Sequence, residues 1–371
     1  MTAILTPPTG ELSPATTPSS GVAPTWPPTP RGPLSGEVID VLFRRPASTS
    51  DDADAIDPAT VAAACALPAA DLLADGDVQL AFFLLSESTF GLEGADARWE
   101  HHPALASARR RLTEALEAAL RATYGAAQPG DDDPLPEVLQ RIAGDADPRG
   151  LAGTFSRTGT RHQLAELLIL RSPYQLKEAD PHTLVIPRLR SRAKAALVEI
   201  QYDEYGGAHH PLAHQALFAD VMVALGLDVR RYAYLDAVPT VALAQVNALT
   251  LLCLNGWLHQ ALAGHFAVFE LGSSIPMNWY ARGAARLGLS PAERAFFEVH
   301  VEADAVHEQV AMHDLCGGLV EQDPAARGDV LFGARVSAGM DEAVGRHVLG
   351  SWARGESALR DGARVAGLAD A

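Results

Sequence analysis

A chain of 371 residues with 48% apolar side chains can bury one large core or two modest ones. Its net charge of −17 excludes nucleic acid as a partner, because a phosphate backbone needs a basic surface. Three cysteines (Cys65, Cys253 and Cys316), far apart and odd in number, exclude a disulfide framework and suit a reducing cytoplasm.

Alanine and leucine dominate and β-branched runs are short, so the composition favours an all-α fold. The first 35 residues are rich in Pro, Thr, Ser and Gly. They lack the basic start and apolar run of a signal peptide and read as a disordered tail, 1–35. An N-terminal helical part is expected over 36–150. Asp51 to Asp75 is Ala- and Asp-rich, a short helix between loops; Val78 to Ser86 is apolar; Pro103 to Tyr124 has helical spacing with Arg and Glu outward. Between these last two lies Trp99-Glu-His-His-Pro103, whose adjacent His101 and His102 point to different faces, as in a loop or surface segment. An acidic breaker, Gln128 to Asp133, precedes a short helix from Pro136 to Ala143.

A denser core is expected over 151–322. His162 to Lys177 carries helical spacing and ends in Glu178-Ala-Asp-Pro181, where proline stops the helix. A second helix runs from Pro187 to Tyr205. Its basic residues Arg188, Arg190, Arg192 and Lys194 read as a solvated face, and Gly206-Gly207 closes it. His209-His-Pro211, a linker, leads into a third helix through Leu225. Pro239 opens a long helix to about Gly264, and another follows to Leu287. The most apolar stretch, Val241 to Phe269, contains Gln245, Asn247, Asn255, His259, Gln260 and His265, which argues for a buried helix pair rather than a membrane span. Ser290-Pro-Ala-Glu293 is a capping box with proline at the first helical position. From Pro324 one or two final helices, within 323–371, are expected to pack on the core. No strand pattern and no internal repeat is evident.

The helix opened by that capping box carries His300, Asp304 and His307 at i, i+4 and i+7. At about 100° per residue they fall within about 60° of one another on one face. Upstream, Glu178, Glu204 and His214 lie at the ends and starts of core helices. Three carboxylates and three imidazoles suit two first-row metal ions with open positions, where a closed structural zinc site would want four ligands. His307-Glu-Gln-Val-Ala311 lacks the second His of a zinc-protease motif. There is no pair of Glu-x-x-His motifs, no phosphate loop and no Gly-x-Ser-x-Gly elbow. Of the neighbours, His265 and Glu270 read as core hydrogen-bonding groups that support ligands rather than ligate. Asp203 and Tyr205 flank Glu204 and either orient it or end a solvated helix. Tyr174 sits one turn before Glu178, and His313 points away from the triplet.

Four words in order, Tyr174-Gln-Leu-Lys-Glu-Ala-Asp-Pro-His182, Glu199-Ile-Gln-Tyr-Asp-Glu-Tyr-Gly206, Gly264-His-Phe-Ala-Val-Phe-Glu270 and His300-Val-Glu-Ala-Asp-Ala-Val-His307, make the chain resemble the haem-oxygenase-like non-haem diiron oxidases. It looks closest to the bacterial "iron-containing redox enzyme" family, over roughly Ala81 to Leu349. The resemblance implies a haem-oxygenase-like helical bundle with about seven core helices plus extra N- and C-terminal helices. It implies two Fe as cofactor, Fe(II) in the reduced resting form, and O2 as co-substrate. The ligands would be Glu178 from the first core helix, Glu204 and His214 from the second and its continuation, and His300, Asp304 and His307 from a later one. Members of the family oxygenate amines or cleave and desaturate aliphatic substrates. With no flavin or iron–sulfur motif in the sequence, the substrate or an external donor must supply electrons. The expected partners are a small organic substrate and such a donor, with no nucleic acid and no membrane, and with a homodimer left open; the expected location is the cytoplasm. The Trp99 to Pro103 segment departs from relatives, which tend to have another aromatic and an acid there. Two rival readings share the residues: a haem-binding or haem-degrading protein of the same fold, using one proximal His, and a non-catalytic metal-binding helical protein.

Overall fold

The computed structural model describes residues 25–44 and 56–363, and among them every regular element is a helix. In chain order these are α1 (Pro33–Leu42), α2 (Pro58–Cys65), α3 (Ala69–Ala74), α4 (Gly76–Glu87), α5 (Pro103–Tyr124), α6 (Leu135–Ala143), α7 (Leu151–Thr158), α8 (Arg161–Gln175), α9 (Asp180–Thr183), α10 (Ser191–Glu204), α11 (His214–Ala224), α12 (Thr240–Leu254), α13 (His259–Leu271), α14 (Ser274–Arg286), α15 (Ala295–Gln309), α16 (Gly317–Gln322) and α17 (Ala326–Ala353). The chain is all-α. A π-helical turn, Val310–Cys316, joins α15 to α16.

Local chemistry sets many of the boundaries. Proline occupies the first turn of α1, α2 and α5, where its missing amide has no helical partner to lose. Asp57 and Asp75 cap α2 and α4 through the amides of Ala59 and Val78, at 2.9 Å each. Thr160 and Gln163 form a capping box on α8. Near the other end of α8, Pro173 has no amide to offer the Ile169 carbonyl, and the Ser172 hydroxyl takes that carbonyl at 2.9 Å. The helix stops at Gln175, so Glu178 stands in the turn beyond it.

Two expected helices are shorter than their apolar patterns. The segment from Pro187 becomes helical only at Ser191, after a 3₁₀ turn at Ile186–Arg188. The long helix expected from Pro239 to Gly264 breaks at Asn255, which is extended (φ −102°, ψ 112°), and its halves meet at 101°. Arg188 explains the break. Its guanidinium donates to the Cys253 and Leu254 carbonyls at 2.9 Å each and satisfies the end of α12. Arg188 thus caps another helix while remaining exposed, as the solvated-face reading expects. No single helix among the described residues is long and apolar enough to cross a membrane.

One apolar core runs from Leu34 in α1 to Leu359 beyond α17. Its axis is the contact between α13 and α17, where two glycines remove the side chains that would hold the helices apart. A Cβ on Gly264 would lie 1.8 Å from the Val330 carbonyl oxygen, and one on Gly333 would lie 1.7 Å from that of Ala261. On its other sides α13 meets α15 and the π turn. α12 packs against α4 and α17, α14 bridges α7 and α15, and α10 lies on the π turn. The helices that bear Glu204, Glu270 and the His300 triplet thus converge around one point.

Of the expected tail, residues 1–24 lie outside the described residues. Residues 25–35 do not behave as a tail. The Thr25 and Thr29 hydroxyls donate to Asp236 at 2.7 and 2.9 Å, Trp26 stacks on Tyr232, and Arg31 donates to the Leu235 and Val238 carbonyls. Asp77 accepts from the Leu34 and Ser35 amides and ties α1 to α4.

Candidate metal centre

Helix ends and one helix face supply the site. Glu204 is the last residue of α10 and His214 the first of α11, so the loop between them folds both side chains inward. Glu178 comes from the turn after α8, and Glu270 from the penultimate position of α13. His300, Asp304 and His307 share the inner face of α15, as their spacing predicts. The Ser290–Glu293 capping box is formed, with the Ser290 amide donating to Glu293 at 2.7 Å; a 3₁₀ turn then leads into Ala295. All seven side chains are buried.

Six of them, all but Asp304, form two clusters that share Glu204. Glu178, Glu204, His214 and His300 each offer a donor atom within 4.8 Å of the others, and so do Glu204, Glu270 and His307. In the first, His214 Nδ1 lies 2.9 Å from Glu204 Oε2 and His300 Nε2 lies 3.6 Å from Glu178 Oε1. In the second, His307 Nδ1 faces Glu204 Oε1 and Glu270 Oε2 at 3.6 Å each, with Asp304 Oδ1 at 3.9 Å.

The imidazoles are oriented from behind. His300 Nδ1 lies 2.6 Å from the Phe296 carbonyl, which can only accept, so this nitrogen carries a proton and Nε2 is the one turned inward. His307 Nε2 contacts Asp203 Oδ2 at 3.3 Å and likewise turns Nδ1 to the interior. With its amide turned nitrogen-inward, Gln175 donates to both oxygens of Glu178, at 2.5 and 3.1 Å.

Four carboxylates and three imidazoles in so small a buried volume shift one another strongly. Against the upward push of burial, His214, with His300 and His307, pulls Glu204 down to about 2. Burial and the charge of Glu270 push Asp304 up to about 9, and burial also raises Glu270. Burial lowers the two α15 imidazoles, but facing carboxylates outweigh it. Glu178 carries His300 up to about 10, and Glu270 with Glu204 carries His307 up to about 9. The arrangement attracts positive charge.

A metal ion fits the residues that supply that field. Both carboxylate oxygens of Asp304 and Nδ1 of His307 are buried without a hydrogen-bond partner. Such atoms are costly unless something meets their lone pairs. Mixed carboxylate and imidazole donors suit iron or another first-row divalent ion.

The structure brings together all six residues singled out in the sequence. Asp304 stands beyond the two tight clusters, against His307. Glu270, read from the sequence as a core hydrogen-bonding group, lies inside the second cluster. The signal for it was a single acid closing the Gly264 to Glu270 run, in which His265 is the other polar side chain. Asp203, exposed at the end of α10, contacts His307 rather than Glu204, and Tyr205 donates to Asp180 Oδ1 at 3.0 Å. Tyr174 is buried with its ring against Phe269 and His182; burial and the charges of Glu178, Glu204 and Glu270 raise its phenol well above the usual range. His209, His210 and His313 are exposed and take no part. His101 is exposed, whereas His102 is buried against Trp99, so that half of the segment packs inward. His182 and His265 are buried near the site, and burial lowers them to about 4 and about 3.

Residues 165–342 match the model of a family described as iron-containing redox enzyme. No curated protein matches the chain.

Proposed function

We propose that the chain is an O2-dependent non-haem diiron oxidase or oxygenase acting on a small organic substrate, a reading supported by the match of residues 165–342 to the iron-containing redox enzyme family and by the all-α, haem-oxygenase-like bundle. The observation that carries this reading is the pair of buried donor clusters hinged on Glu204. Glu178, Glu204, His214 and His300 would hold one iron, and Glu204, Glu270, Asp304 and His307 the other. When bound, the iron pair supplies one-electron redox steps and open positions for O2.

The chain's own residues set the conditions for that chemistry. The Phe296 carbonyl and Asp203 fix which nitrogens of His300 and His307 face inward, and Gln175 holds the Glu178 carboxylate. Packing of α13, α15 and the π turn keeps bulk water from the donors. Tyr174 brings a phenol with its proton held on to the carboxylate side of the centre. The carboxylates favour higher oxidation states by charge alone.

A haem reading asks for one proximal imidazole against an open, apolar slot. Here each candidate imidazole faces at least one carboxylate, which favours metal ions instead. The partners in this reading are a small organic substrate and a one-electron donor. Three unpaired cysteines agree with placement in the cytoplasm.

The test is O2 uptake by anaerobically Fe(II)-loaded protein against a panel of amines, amino acids and fatty acids. Substrate-dependent uptake lost in Glu204→Ala is the expected result. A Soret band on haem addition that is indifferent to Glu178→Ala favours the haem rival, and iron binding without O2 uptake favours the non-catalytic one.

A further inference from the structure

Next to the candidate ligand Glu178, the chain buries a charge that the metal reading does not use. Lys177 Nζ lies 2.9 Å from Glu87 Oε1, with the two side chains only 1% and 0% exposed. The other oxygen of Glu87 accepts the Tyr232 hydroxyl at 2.5 Å. The Tyr232 ring is stacked on Trp26, with centroids 5.3 Å apart and planes at 25°. Trp26 is partly exposed and donates its indole N–H to the Glu93 carbonyl at 2.6 Å. A second tie joins the same two regions. Arg231 Nη2 meets Asp180 Oδ2 at 3.1 Å, and Asp180 Oδ1 accepts from Tyr205, the residue after Glu204. From surface to centre the order is Trp26, Tyr232, Glu87, Lys177, Glu178.

Stability alone gives little reason for this construction. A buried ion pair seldom repays its desolvation, and an apolar substitute of the same shape does as well or better. A buried phenol needs only a neutral acceptor. A carboxylate at that position adds a capability. A phenol that loses an electron becomes a strong acid, and in a medium of low dielectric it must pass its proton to a base already in contact. Glu87 is that base, and Lys177 balances its charge on the far side. At rest, burial and then the charge of Glu87 keep the phenol proton firmly on Tyr232.

We propose that Tyr232 is a redox-active tyrosine, with Glu87 as its proton acceptor and Trp26 as its stacked surface neighbour, and that it passes single electrons from the protein surface to the iron centre. The destination of the electron rests on the diiron reading; the tryptophan–tyrosine couple does not. In the first step Tyr232 gives one electron to the oxidised centre and its hydroxyl proton to Glu87 Oε2, leaving a neutral phenoxyl and a carboxylic acid. The Trp26 indole then supplies an electron and Glu87 returns the proton, which restores the phenol and the carboxylate. The indole radical cation is reduced at the surface by an external one-electron donor such as a reduced iron–sulfur protein. Each cycle moves one electron inward and leaves the proton where it began.

The couple can be tested without iron. Pulse radiolysis of the metal-free full chain with azide radicals oxidises exposed indoles, and absorbance then follows indolyl decay and phenoxyl growth. Wild type should show phenoxyl growth coupled to indolyl decay and slowed in D2O, because the proton moves with the electron. Trp26→Phe and Tyr232→Phe, each checked for folding by circular dichroism, should each lose most of that growth. Undiminished growth in either variant, or the same rate in D2O, overturns the proposal and leaves the metal reading untouched. On Fe(II)-loaded protein exposed to O2 and freeze-quenched, electron paramagnetic resonance should show a phenoxyl signal that Tyr232→Phe lacks. If iron binds but no such signal forms, the inward direction of transfer is wrong.

Discussion

Asp203 and His307 meet at 3.3 Å across the edge of the site, the carboxylate 55% exposed and the imidazole 2%. A surface acid thus reaches a buried ring and decides which of its nitrogens faces inward. Removal of such a partner typically weakens metal binding about 10–100-fold. Asp203→Ala should therefore weaken one of two irons in an anaerobic titration and leave the other nearly unchanged. Equal loss at both irons, or none, would show that the contact does not orient a ligand.

Glu204 belongs to both donor clusters, so its loss should be felt twice. Glu204→Ala should bind at most one iron, weakly. Glu270→Gln and His307→Ala should each spare one iron, and Asp304→Ala should lose turnover. His313→Ala and His210→Ala should retain full iron content and most activity. Iron analysis after desalting checks the set, and full activity in Asp304→Ala would refute the role given to it.

The titrations give the metal-stripped protein a directional pH response. His300, His307 and Asp304 have folded-state values raised to about 10, 9 and 9, above their unfolded values of about 6.5, 6.5 and 3.8. Each contributes stability that is fully present below its unfolded value and lost as pH rises through the folded one. For Asp304 that loss is spread from about 4 to 9, and for the two imidazoles from about 6.5 to 9–10. Glu204, lowered from 4.5 to about 2, acts oppositely, and its contribution is lost as pH falls from about 4.5 through 2. The Tm of chelator-treated protein should fall from pH 7 to pH 10. The Mn(II)-loaded protein should change less, because cations replace those protons. Calorimetry in buffers of different ionisation heat should show proton release on metal binding at pH 7.5. A metal-free Tm that rises over this window would contradict the charge assignment.

Close approach of α13 and α17 rests on Gly264 and Gly333, where any Cβ would press on a backbone carbonyl that cannot turn aside. Overpacking of this kind costs about 1–3 kcal/mol and sometimes more. Gly264→Ala and Gly333→Ala should each lower urea-unfolding stability by at least that amount. Gly328→Ala on the same helix α17 has open space around it and should be near neutral. Equal stability for all three would remove the glycine contact as the organising feature of the core.

The parts of this protein legible in its sequence are those fixed by neighbours along the chain. Proline and spacing marked Pro103 to Tyr124, a capping box marked the start of the triplet helix, and a helical period placed His300, Asp304 and His307 on one face. The remainder depends on partners far away in sequence. Arg188 ends α12 from 65 and 66 residues away, Asp203 meets His307 across 104, and Asp236 holds Thr29 across 207. Composition does not record such contacts, and the apolar run through Asn255 reads as one helix until the arginine that breaks it is in place. Glu270 escaped for the same reason, since nothing near it in sequence identifies His307 as its partner.

Two irons hinged on Glu204 would be seen in an anomalous difference map from crystals grown with Fe(II) under anaerobic conditions. Two peaks are expected, one among Glu178, Glu204, His214 and His300 and the other among Glu204, Glu270, Asp304 and His307. A single peak, or a pair in which Glu204 contacts neither ion, would contradict the account.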